Sequence, residues 1–152
     1  VYFSAIGRDS VEFLFSANPD IPPAEISKIA SGGEMSRLML AVKNLLRTSK
    51  ALPTIIFDEI DSGVSGEIAL KMGNILKEFS LSAQIINITH LPQIAAKGDA
   101  HFKVFKYERN SITHTSVKLL EQSERIEELA KMLGGENFSD FTVKTVKELL
   151  NN

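Results

Sequence analysis

The chain has 152 residues, 43% of them hydrophobic and 24% charged, which is enough for one ordinary domain with its own core, and residues 1–152 are read as a single domain. A formal charge of -2 gives no general attraction to phosphate backbones, so any contact with DNA has to be local or elsewhere. The absence of cysteine excludes a disulfide framework and thiolate metal sites, and no apolar run approaches the roughly 20 residues of a membrane helix, so a cytoplasmic protein with no membrane partner is expected.

Val11-Glu12-Phe13-Leu14-Phe15 is rich in strand formers and stops at the Asn18-Pro19-Asp20 turn signal. After Ser31-Gly32-Gly33-Glu34, apolar residues at Met35, Leu38, Met39, Val42, Leu45 and Leu46 keep helical spacing and predict a helix packed on a sheet. Thr54-Ile55-Ile56-Phe57, entered through Pro53 and closed by Asp58-Glu59, reads as a central parallel strand covered on both faces. Val64, Ile68, Met72, Ile75, Leu76 and Phe79 mark a second helix, and Gln84-Ile85-Ile86-Asn87-Ile88-Thr89 another buried strand, an order that implies a right-handed crossover. His101 to Tyr107 and Ile112 to Leu119 predict an antiparallel hairpin across Glu108-Arg109-Asn110-Ser111. Ile126, Leu129, Ala130 and Leu133 predict a helix stopped by Gly134-Gly135, and Val143, Val146, Leu149 and Leu150 a last helix with Ser139 as candidate N-cap. The pattern is that of one α/β unit without repeat or linker.

Three places carry candidate chemistry. Ser31-Gly32-Gly33-Glu34 opens a helix with two glycines, so backbone N–H groups at a positive helix terminus can meet a phosphate. The same four residues satisfy an S-x-x-E capping box, and the two readings are compatible. At the end of the Ile55–Phe57 strand, Asp58 and Glu59 point to opposite sides, which suits one to a Mg²⁺ ion and the other to an attacking water. A loop that merely begins with two acids is the plain alternative. His90 follows the next strand and falls on the same sheet edge, whereas His101 and His114 are read as structural.

In order and spacing, these motifs resemble the C-terminal part of an ABC ATPase head. Ala30-Ser31-Gly32-Gly33-Glu34 resembles the signature, Thr54 to Glu59 the Walker B strand, Asp61-Ser62-Gly63 the D-loop, and His90 the switch histidine. The runs Glu12 to Pro19, Ile29 to Ala41, Asp58 to Gly66 and Thr89 to Gln93 narrow the resemblance to the RecN family of SMC-like ATPases in DNA repair. Asp20 and Met35 depart from the pattern, where glycine and leucine are usual. The resemblance implies a P-loop NTPase-like head, mainly parallel and flanked by helices, with a C-terminal hairpin and helices. It also implies binding of ATP and Mg²⁺, with Ser31, Gly32, Gly33 and Glu34 on the γ-phosphate of a partner head's ATP and Asp58 near Mg²⁺. Glu59 then polarises the attacking water, His90 contacts the γ-phosphate, and Asp61 couples the two sites of a homodimer. No Gly-Lys pair occurs, so the P-loop is absent. With a chain that opens on Val1 and meets its main motif within the first quarter, a Walker A half and a coiled coil are expected upstream, and this part alone is expected to be inactive. The implied setting is recombinational repair of double-strand breaks at the nucleoid, with DNA as partner of the full-length protein. Glu34 in place of the usual glutamine, and Ile60-Asp61-Ser62-Gly63 in the D-loop, disfavour a transporter nucleotide-binding domain. The clustering of Asp58, Glu59 and His90 disfavours a non-catalytic dimerisation module.

Overall fold

The computed structural model describes residues 7, 11–16, 19–26, 32–46 and 53–151. Strand β1 (Leu14–Phe15) pairs antiparallel with β2 (Ala24–Glu25), Leu14 opposite Glu25. The strand expected from Val11 is thus only two residues long, because its partner offers only two. Helix α1 (Gly32–Leu46) follows, then β3 (Thr54–Asp58), α2 (Gly66–Ser80) and β4 (Gln84–Ile88). β3 and β4 run parallel in register from Thr54↔Gln84 to Asp58↔Ile88. The short helix α3 (Pro92–Ala95) leads to the antiparallel hairpin of β5 (Phe102–Arg109) and β6 (Ile112–Leu119), turned through Asn110 and Ser111, both at positive φ. Helices α4 (Gln122–Gly134) and α5 (Asp140–Asn151) close the described chain.

One core gathers the inner face of the parallel pair, Ile55 and Phe57, with Leu40 of α1 and Ala69, Met72, Leu76 and Phe79 of α2. Phe57 and Phe79 meet with ring centroids 6.4 Å apart, and Ile60 and Val64 tie the loop after β3 into the same cluster. Gly73 admits α3 here: an added Cβ would lie 3.1 Å from the Gln93 carbonyl oxygen. A second cluster packs α4 on α5 through Leu129, Ala130 and Val146, and Ala96 joins it just after Ile94 has contributed to the first. Arg125 fastens that junction by donating to the carbonyls of Ala95, Ala96 and Gly98, at and just beyond the end of α3. Lys103–Glu128 and Lys118–Glu124 ion pairs attach the hairpin to α4.

Two expectations change. The parallel pair is covered on one face only, since Ile56, Ile86 and Ile88 on the outer face are exposed. In α1, Leu40 enters the core while Met39, Val42 and Leu45 of the predicted stripe lie exposed, so the packing face is rotated from that predicted. Ser139 caps α5 as expected, its hydroxyl accepting from the Thr142 N–H at 3.3 Å, and Gly135 stops α4 at φ 79°.

Candidate functional site

The site is built where the parallel strands end. Asp58, last residue of β3, stands level with Ile88, and the Glu59 N–H extends the ladder by donating to the Ile88 carbonyl at 3.2 Å. The backbone then turns: Glu59 takes φ 49°, the left-handed region that an L side chain enters at about 1–2 kcal/mol. Bonds from Ser62 N–H to Glu59 O and from Val64 N–H to Asp61 O close the loop, with Ile60 and Val64 anchored below it. Asp58 and Glu59 both remain exposed to solvent.

Asp61 is wholly buried, the one charged residue among the described residues to be so. Its Oδ2 accepts from the Thr89 hydroxyl and from the His90 N–H at 3.3 Å, and lies 3.5 Å from His90 Nδ1. Thr89 in turn accepts from the Leu91 N–H at 3.0 Å. The His90 imidazole is 66% exposed, so its other nitrogen is free to meet a ligand. The first turn of α1 abuts the same loop. A Cβ on Gly33 would lie 2.7 Å from the Ser62 carbonyl oxygen, and Arg37 Nη1 donates to that oxygen at 3.0 Å. Gly32 opens α1 and Glu34 lies in its first turn, half-buried, while Ser31 lies outside the described residues.

Asp58, Glu59 and His90 therefore share one edge, with the start of α1 beside the loop after Glu59, whose Asp61 bonds to His90. Asp61 is not turned outward but enclosed within the chain. Arg37 and Thr89 were not singled out from sequence, although both lie inside quoted motifs; what makes them matter is contact across 25 and 28 residues. His101 and His114 lie elsewhere: burial first, then Arg125, pushes His101 below its ordinary 6.5, and His114 stacks on Tyr107 at 5.4 Å. Mg²⁺ needs only one or two carboxylates when phosphate and water complete its shell, and the exposed Asp58 oxygens fit that demand.

No protein-family model matches the chain. It is 48% identical over 148 residues to the DNA repair protein RecN of Rickettsia conorii, covering 97% of this chain and 27% of that protein. Against RecN of Bacillus subtilis the identity is 42% over 144 residues, 95% of this chain and 25% of the relative. The chain is similar to RecN proteins over nearly its whole length. It corresponds to the C-terminal part of RecN and spans about a quarter of the length of these relatives. Among solved structures, one described under ATP-driven dimerization and DNA-stimulated activation of SMC ATPases superposes with TM-score 0.52 at 22% identity, over 79% of each chain. An SmcHead bound to the C-winged helix domain of ScpA gives 0.50 at 23% identity, over 74% of this chain and 38% of the other. The chain thus has an α/β fold like that of part of these SMC ATPase heads.

Proposed function

We propose that residues 1–152 form a single unit, the C-terminal lobe of an ATP-hydrolysing head that serves recombinational repair of DNA double-strand breaks at the nucleoid, in the cytoplasm. The carrying observation is the convergence of Asp58, Glu59 and His90 at one end of the parallel pair, with Gly33 packed on the loop that follows Glu59. Open α/β sheets take their ligands at this end. Mg²⁺, held by Asp58, supplies charge neutralisation on the phosphates when bound. Glu59 faces solvent and takes a proton from water as the water oxygen bonds to the γ-phosphorus; the bond to the β,γ-bridging oxygen breaks, releasing ADP and phosphate. His90, its Nδ1 turned to Asp61, contacts the γ-phosphate with the exposed side of its ring. Ser31, Gly32, Gly33 and Glu34 present the N-terminal amides of α1 to the ATP of a second head, so that nucleotide joins a homodimer.

The phosphate cradle is assigned to an N-terminal Walker A half of the same protein. Supporting this, the outer face of β3 and β4 leaves Ile56 63%, Ile86 45% and Ile88 52% exposed, although parallel sheets bury both faces. DNA is engaged through the full-length protein. With both halves present, Glu59→Gln is expected to lower kcat by about 10²–10⁴-fold while ATP still binds. Unchanged turnover would refute the general-base assignment, and ATP hydrolysis by residues 1–152 alone would refute the division of labour.

A further inference from the structure

A buried carboxylate without a neighbouring cation is costly unless other groups hold it. Among the described residues no lysine or arginine pairs with Asp61. What faces it is the Thr89 hydroxyl, the His90 N–H and, at 3.5 Å, His90 Nδ1; its Oδ1 has no hydrogen-bond partner among the described residues. Three of these four facts concern the two residues that follow β4. The carboxylate therefore fixes a short loop whose sole exposed functional group is the imidazole, and it turns one nitrogen of that imidazole inward.

From this we infer that Asp61 is a positioning residue that acts through His90 from within its own subunit, a role distinct from contact across a dimer interface. The inference rests on the ATPase reading above. The Thr89 bond sets the height of the loop, the His90 N–H bond sets its backbone, and the carboxylate beside Nδ1 selects the tautomer that carries its proton there. Nε2 is then left as the acceptor nitrogen of a ring that is 66% exposed.

The test is a double-mutant cycle in the full-length protein. Asp61→Asn is expected to lower kcat about tenfold or more with little change in KM for ATP, as is Thr89→Val, which keeps the volume and loses the hydroxyl. On a His90→Ala background, Asp61→Asn is expected to cost less than about twofold, because its intermediary is gone. Equal losses on both backgrounds, or a His90→Ala protein as active as the unchanged one, would overturn the positioning role alone. An unchanged protein that hydrolyses no ATP would instead overturn the ATPase reading. A readout independent of turnover is the side-chain spectrum of the ¹⁵N-histidine-labelled protein at alkaline pH. His90, assigned by its loss in His90→Ala, is expected as the Nδ1-protonated tautomer, and an Nε2-protonated His90 overturns the proposal whatever the variants do.

Discussion

Replacing Gly33 by alanine tests the seam between α1 and the loop after β3. In an ordinary helix the change stabilises by about 1 kcal/mol, since alanine loses less backbone freedom. Here the new Cβ would stand 2.7 Å from the Ser62 carbonyl oxygen, and ordinary contact begins near 3.4 Å, so helix and loop must part by about 0.7 Å. That separation carries the Arg37–Ser62 bond from 3.0 Å to about 3.7 Å, beyond hydrogen-bonding range. Neither side yields easily, because Leu40 fixes the helix and Ile60 and Asp61 fix the loop. Overpacking costs about 1–3 kcal/mol and the lost bond about 1 more, against the helical gain, leaving a net loss of about 1–3 kcal/mol. At about 2–4 °C per kcal/mol for a chain of this size, the unfolding midpoint of the assembled head should fall by about 2–12 °C. ATP turnover should fall with it, since Glu59 begins the displaced loop. A Gly33→Ala protein that melts at the same temperature or higher, with full turnover, would show that the close approach does not constrain the site.

Ser31→Arg should leave ATP binding intact and abolish nucleotide-dependent dimers, read by sedimentation with ATP present; normal dimers would contradict a role across the interface. Leu129→Ala, in the centre of the second core, should destabilise by about 2–5 kcal/mol, measured by denaturant unfolding, and a loss under about 1 kcal/mol would mean that the α4–α5 pair is loosely packed. Because burial holds His101 below 6.5, the unfolded chain binds a proton there more readily than the folded one, so the stability present above pH 6.5 is lost as the pH falls through the lower folded value. His101→Gln should flatten this acid dependence, and an unaltered slope below pH 6.5 would place its origin in other groups.

Regular elements with a single dominant periodicity were legible from sequence. The stripe of α2 is visible because Val64, Met72, Leu76 and Phe79 all face one core, although Ile68 and Ile75 of the same stripe lie exposed, and Gly134-Gly135 announces the end of α4 because only glycine takes the required turn cheaply. The outer face of β3 differs for a physical reason: Ile56 reads as buried in any local window, yet no described element encloses that face. The tilt of α1 was missed likewise, since Leu40, Met39 and Val42 are equally apolar and only tertiary contact decides which turns inward. Asp58, Glu59 and His90 could be placed on one edge because strand ends and parallel order suffice to locate them. The burial of Asp61 could not be foreseen, because a carboxylate in a loop is ordinarily solvated and its acceptors' partners lie 28 and 29 residues away.

The left-handed turn at Glu59 sets durability against chemistry. Glycine would adopt φ 49° without penalty and asparagine with little, so either replacement should yield a sturdier fold. Both would discard the carboxylate that the bend aims away from the sheet. A search for hardier variants by thermal selection alone would therefore drift toward inert proteins at this position, and only a screen that also scores phosphate release would keep the acid in its uncomfortable place.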